Sequence, residues 1–348
     1  MSGGRIRAVA RRIVAQFRHD RRSIALLVVA PLVVLSLVGA LWGSTTQTTV
    51  RVVIASDRGP AGAALASAIG SPSDIEVKIA TFDEGVAMLR DRTADAVISV
   101  GTGGPTVLLE GSDPLRTQSV AGTVQKALLG RAQAAPSIEY LYGGPSYSLL
   151  DSLAPVLIAF FAFFFIFLLA TVSFLRERTS GTLERLMATP LRRGELVLGY
   201  LIGFGFFALL QATLIIAFTV LVLKVQYRGS VVSIFVVEAA LVIVAVSLGL
   251  LVSAFARNEL QAVQFIPIVI LPQAFLSGLL VPVEQLSSLL RPLSVIFPLT
   301  YANEALRAVM VKGYALGDPL VLRDIGVIAL FAVVTVVGAI ASIRREVA

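Results

Sequence analysis

The segment LRERTSGTLERLMATPLRRGE, residues 175–195, separates two uncharged apolar runs, 152–174 and 196–223. Each run exceeds the ~20 residues an α-helix needs to cross a hydrocarbon core about 30 Å thick, so the charged segment reads as a loop at a membrane surface. Its charges are ordered. Leu183, Leu186 and Met187 recur at helical spacing and share one face, Glu184 and Arg185 lie beside them, and Pro190 stops the turn. A short amphipathic piece held between two spans suits docking, because a soluble partner pressing on it would move both spans.

The rest of the chain agrees with a membrane setting. Its 348 residues are 56% hydrophobic and 15% charged, and six spans are predicted, at 23–43, 152–174, 196–223, 231–254, 262–281 and 324–342. Backbone groups in lipid find no water, so these runs should be helices. The fold class expected is an α-helical polytopic membrane protein with six transmembrane helices and a small α/β extracytoplasmic domain inserted after the first. Val38-Gly39-Ala40 would suit a signal peptidase, but the apolar run before it has span length and its basic prelude is long, which favours a retained first span.

Short segments beside the spans carry the topology signal. Arg5, Arg7, Arg11, Arg12, Arg18, Arg21 and Arg22 precede the first span. Arg176, Arg178, Arg185, Arg192, Arg193, Arg257, Arg344 and Arg345 fall on the same side. The other side holds Lys224, Arg228, Arg291, Arg307, Lys312 and Arg323. Both termini are therefore expected in the cytoplasm of a multi-pass protein of the inner or plasma membrane. The net charge of +7 follows this asymmetry and calls for anionic lipid rather than nucleic acid. With no cysteine, disulfides, thiolate nucleophiles and cysteine-based metal sites are excluded, and no metal site is expected.

Within residues 1–22, Ile6, Val9, Ala10, Ile13 and Phe17 recur on one face of a helix over 5–20, flanked by Arg7, Arg11 and Arg18 on one side and Arg12 on the other. This helix should lie in the membrane interface and reach a cytoplasmic partner. Residues 44–149 change character, and a soluble α/β domain is expected there, with strands at 50–55, 76–80, 94–100 and 106–110 and helices at 60–69, 83–91 and 114–133. Its Gly101-Thr102-Gly103-Gly104 stretch is a turn before it is a phosphate cradle. Between 283 and 312, apolar stretches broken by Pro282, Pro292 and Pro298 are too interrupted to cross and suit short re-entrant helices near the outer face.

The pattern resembles the ATP-binding-cassette (ABC) type-2 permeases, in particular exporters with a large extracytoplasmic domain after the first span. Three stretches carry the likeness: Arg176 to Leu186 with Thr189-Pro190-Leu191 and Glu195; Leu276-Ser277-Gly278-Leu279-Leu280-Val281-Pro282-Val283-Glu284; and Pro298-Leu299-Thr300-Tyr301-Ala302-Asn303-Glu304-Ala305-Leu306-Arg307. The resemblance implies a second permease, as homodimer or heterodimer, and two copies of a separate ABC ATPase that binds the ATP and Mg. It also implies a coupling helix near 182–190, carrying Thr182, Leu183, Glu184, Arg185, Leu186, Met187 and Pro190. The helix over 5–20, with Ile6, Arg11, Ile13 and Phe17, becomes the connecting helix. Spans two and five would line the substrate path. This chain itself holds no P-loop, since Lys78, Lys126, Lys224 and Lys312 follow Val, Gln, Leu and Val rather than a glycine-rich turn.

The expected function is therefore the permease subunit of an ATP-driven exporter of a hydrophobic or amphipathic compound such as a drug, natural product or lipid. Candidate path residues are Phe160 and Phe164 for ring contacts, Gln264 and Gln273 for polar ones, and Glu238, about 11 Å inside span four and an intramembrane acid by position. At the outer gate, Pro298, Tyr301, Glu304 and Arg307 are placed together, the last two three residues apart and able to pair. Gly199 and Gly203 have small-residue packing spacing. Two alternatives remain: a secondary transporter, which would show related halves that this sequence lacks, and a membrane receptor using 44–149 as sensor, whose loops here are short for an output domain.

Overall fold

A computed structural model describes residues 2–18, 20–41, 50–55, 75–101, 104–128, 136–144, 147–256 and 258–343. In chain order the described elements are α1 (Gly3–Arg18), α2 (Arg21–Leu41), β1 (Val50–Ala55), β2 (Ile75–Ala80), α3 (Phe82–Arg90), β3 (Ala96–Gly101), β4 (Gly104–Leu109), α4 (Pro114–Leu128) and β5 (Ser137–Tyr140). There follow α5 (Leu149–Thr179), α6 (Thr182–Met187), α7 (Arg193–Ala217) with a π turn over Phe218–Val222, α8 (Val231–Ser253) and α9 (Glu259–Leu276). A short 3₁₀ turn, Val283–Gln285, leads to α10 (Arg291–Ser294), α11 (Pro298–Met310) and α12 (Pro319–Ser342). The chain divides into two compact units, Met1–Ala40 with Leu153–Ala348, and Leu41–Ser152.

In the helical unit, five helical stretches are long and apolar enough to cross a membrane: Leu150–Thr179, Arg193–Val222, Val231–Ser253, Glu259–Leu276 and Pro319–Ser342. The first predicted span falls on α2, Arg21–Leu41, which includes the apolar stretch Leu27–Leu37. Helix α9 starts three residues before the predicted fifth span and ends five before it, because Asn258 caps the Gln261 amide at 2.8 Å and Gly278 takes a left-handed φ of 85° just beyond Leu276.

Water drives none of the packing between helices in lipid, so close backbone approach and polar links must do it. Both are present. A Cβ on Gly249 of α8 would lie 2.9 Å from the Phe167 carbonyl oxygen of α5, so the two backbones touch. Gln211 of α7 donates to the Phe161 carbonyl at 3.2 Å, and the hydroxyls of Ser247 and Thr335 join α8 to α12 at 2.7 Å. Helix α5 is the hub: Phe161, Phe163, Phe165, Ile166, Phe167, Ala170 and Thr171 are buried inside the chain.

The second unit is built on a five-stranded sheet in the order β2-β1-β3-β4-β5, parallel except where β3 and β4 form a hairpin. Strand alternation sorts its core. Val50, Val52 and Ile54 join Val120, Val124 and Leu128 of α4 on one face, while Val53, Ala55 and Val97 meet Leu89 of α3 on the other. Thr81 and Glu84 close a capping box at the start of α3. The sequence reading missed β5, a four-residue, mostly exposed strand without a period to detect. Residues 60–69 and 129–133, given to helices above, lie outside the described residues, as do Thr102 and Gly103 of the glycine stretch.

Asp95 knits this unit. Its carboxylate accepts from the Arg51 amide at 2.9 Å and from Arg116 Nε and Nη2 at 2.7 and 2.8 Å. Burial pushes its pKa up, but these donors outweigh burial and hold it below the ordinary carboxylate range.

Candidate functional site

The last turn of α5 distributes its charges to three different helices. Arg176 pairs with Glu259 at the start of α9 at 3.0 Å, on an exposed edge. Glu177, buried, receives Arg12 of α1, whose Nη2 lies 2.7 Å from both carboxylate oxygens. Arg178 donates to the Ser253 and Ala256 carbonyls at 2.6 and 3.3 Å, at the C-terminal end of α8 where a cation is favoured. Gly181 then turns the chain with a left-handed φ of 70° and starts α6.

Helix α6 ends at Met187, short of Pro190. Leu183 is buried, as is Leu191 beyond it, Thr182, Leu186 and Met187 are half-buried, and Glu184, Arg185 and Pro190 are exposed. Glu184 has no ion-pair partner among the described residues. Arg185 reaches only the Gly181 and Ser180 carbonyls, both at 3.4 Å. The element thus grips the helices with its leucines and presents an unpaired acid beside a loosely held base.

Helix α1 seats on α7 through glycine. A Cβ at Gly199 would come within 2.5 Å of Val9 Cβ, and one at Gly203 within 2.9 Å of Ile13 Cβ, so only glycine lets the helices approach this closely. Phe17 completes the seat edge-on to Phe204 and Phe207, with ring centroids 5.4 and 5.8 Å apart. The predicted helix therefore spans Gly3–Arg18, with Val9, Ala10, Ile13 and Phe17 buried, Ile6 half-buried and Arg11 exposed.

Glu195 locks the arrangement. Fully buried, it accepts from the Ser2 amide ahead of α1 at 2.6 Å and from the Arg192 amide at the start of α7 at 2.9 Å, so one carboxylate serves the amino ends of two helices. Arg5 approaches the same carboxylate at 3.5 Å and donates to the Pro190 carbonyl. Arg12 also contacts the Tyr200 hydroxyl at 3.4 Å. Burial lowers the Arg12 pKa, but Glu177 outweighs it and the guanidinium stays above its ordinary value. Sequence reasoning did not single out Glu177, Tyr200 and Glu195 as a set. The one available signal was the shared spacing of four in Val9/Ile13 and Gly199/Gly203.

Elsewhere the predicted residues are dispersed. Phe160 and Phe164 of α5 are half-buried and stacked, 5.8 Å apart. Gln264 of α9 is exposed, whereas Gln273 is buried with its Oε1 lacking a donor. Glu238 of α8 is fully buried, and neither carboxylate oxygen has a hydrogen-bond partner. On α11, Pro298 is buried and Tyr301 donates to the Val295 carbonyl at 3.0 Å. Glu304 meets Arg323 of α12 at 2.8 Å, and Arg307 donates to the Gly278 carbonyl at 3.2 Å. Asn303 joins this region by donating to the Ser277 carbonyl at 2.6 Å.

Long apolar helices tied at one end by a charge-sorted junction mark a multi-pass membrane protein. Comparison with known proteins narrows this. The model of the ABC-2 family transporter proteins matches residues 21–341, and the chain belongs to that family. It is 32% identical over 176 residues to ABC transporter G family member 20 of Dictyostelium discoideum, covering 51% of this chain and 24% of that protein. It is 31% identical over 139 residues to the probable multidrug ABC transporter permease YbhS of Escherichia coli, covering 40% and 37%. A third relative, Nodulation protein J of Neorhizobium galegae, is 31% identical over 174 residues, covering 50% and 65%. The chain thus spans less than two thirds of each of these relatives.

Proposed function

We propose that the chain is the membrane subunit of an ATP-driven exporter that moves a hydrophobic or amphipathic compound out of the cytoplasm. ATP and Mg are held by a separate ABC ATPase, present in two copies, and a second permease completes the complex. In this reading α2 is the first of six spans, both termini are cytoplasmic, and residues 44–149 form an extracytoplasmic domain. Helix α6 with Pro190 is the coupling helix and α1 the connecting helix.

The observation that carries the reading is the junction around residues 175–195. Arg176, Glu177, Arg178, Pro190 and Glu195 fasten this segment to α1, α8 and α9, while Glu184 and Arg185 stay exposed on its outer side. A partner that engages those two exposed charges moves several helices as one body. Ring contacts at Phe160 and Phe164, with Gln264, Gln273 and Glu238, suit an apolar cargo carrying a few polar groups. Pro298, Tyr301, Glu304 and Arg307 form the outer gate.

The test is ATPase activity and export in vesicles reconstituted with the cognate ATPase. Glu184→Ala with Arg185→Ala should lower cargo-stimulated turnover at least about tenfold, the equivalent of one or two lost charge contacts, with the permease still folded. Unchanged turnover and assembly would refute the coupling assignment.

A further inference from the structure

The five arginines described on α1 fall into two groups. Arg5 and Arg12 are spent on Glu195 and Glu177. Arg7, Arg11 and Arg18 have no carboxylate partner among the described residues, and all three are exposed. Their spacing of four and seven places them on one stripe of the helix. Cations aligned this way repel one another modestly, so a negative counterpart from outside the chain would be favoured beside the stripe.

Next to the stripe, α1 and α7 enclose an open cleft of about 680 Å³ lined by these arginines and by Ile6, Val14, Ile202 and Phe206. Ile202 and Phe206 are 56% and 54% exposed, on the outer surface of a helix apolar enough to cross a membrane. The cleft therefore offers an apolar channel with a cationic rim. That chemistry suits a lipid with an acyl chain and an anionic phosphate headgroup, whose net negative charge complements the arginines where a zwitterionic lipid has none.

We propose that the cleft between α1 and α7 is a binding site for an anionic phospholipid, its acyl chain against Ile6, Val14, Ile202 and Phe206 and its phosphate held by Arg7, Arg11 and Arg18. The site is separate from the ATPase-facing residues of α6, and it makes the seating of α1 sensitive to the charge of the surrounding leaflet.

Native mass spectrometry of the purified full chain, delipidated and offered equal phosphatidylglycerol and phosphatidylcholine, tests this. The wild type should retain phosphatidylglycerol selectively. Each arginine at an anionic surface is worth about fivefold in affinity, so Arg7→Gln, Arg11→Gln and Arg18→Gln together should cut retention on the order of a hundredfold, and the triple lysine variant should restore most of it. Val14→Trp, which fills the cleft and keeps every arginine, should also lose the lipid, and glycerol phosphate without acyl chains should not compete. Equal retention of both lipids by the wild type, or undiminished phosphatidylglycerol in either the triple glutamine or the Val14→Trp chain, would overturn the proposal. So would loss of self-association in place of lipid, which would make the cleft a contact between copies.

Discussion

The helical unit treats its buried polar groups differently at its two ends. At the α1 end, Glu177 and Glu195 are buried and every carboxylate oxygen has a donor. At the α11 end, Asp324 is fully buried with Arg323 on one oxygen, and among the described residues its other oxygen, Asn303 Oδ1 and Gln273 Oε1 have no donor. Buried acceptors are nearly always satisfied in stable cores, because an unmet one costs about 1–3 kcal/mol. The buried acids of the first end are thus saturated, although Arg12 Nε lacks an acceptor among the described residues, and the second end holds acceptors that another packing could satisfy. The proposed exporter would use that difference to transmit a push through one end and open at the other.

The comparison breaks most readily at Glu177. Removing it leaves half-buried Arg12 and buried Tyr200 without their anion, and Glu177→Ala should destabilise the helical unit by about 3–5 kcal/mol, the usual cost of orphaning a buried charge. Thermal unfolding in detergent, together with protease access to α1, measures this. A loss below about 1 kcal/mol would mean the joint is not closed by this pair.

Next comes the glycine seat. Gly199→Ala places a methyl group 2.5 Å from Val9 Cβ and should cost about 1–3 kcal/mol by overpacking, loosening α1 without touching any charge. Gly205→Ala, where a Cβ meets nothing within 4 Å, is the matched control and should leave the melting temperature unchanged.

Asp95 extends the comparison to the sheet unit as a third donor-saturated carboxylate. Its folded pKa lies below the ordinary value of 3.8, so it contributes stability that is complete above that value and is lost as pH falls through the folded pKa. Denaturant unfolding of the sheet unit should therefore be level near neutral pH and weaken below pH 3.8. Asp95→Asn should flatten that acid limb.

The smallest effect belongs to Glu238. Because neither of its oxygens is partnered, Glu238→Met replaces an unmet polar group by an apolar one of similar length, and stability should be unchanged or slightly higher. The sign, opposite to that of Glu177→Ala, separates a buried acid that does not support the fold from one that does.

Much of this was legible in local pattern. The positions of the helices, strands β1 to β4 and the amphipathic character of α6 follow from periods of 3.6 and 2 that any short window displays. The junction was not legible, because Arg12 and Glu177 are 165 residues apart and Ser2 and Glu195 are 193 apart. Pairing over such distances depends on which helix faces which, and no local window carries that. Glu304 shows the same limit, since its partner Arg323 lies on the next helix.

The absence of cysteine makes the central claim directly measurable. Arg185→Cys, in the complex purified with its ATPase and treated with a short bifunctional crosslinker, should give a permease–ATPase adduct that Leu330→Cys, exposed on the apolar face of α12, does not. An adduct from position 330 and none from 185 would contradict the assignment of residues 182–190 as the point where the motor takes hold.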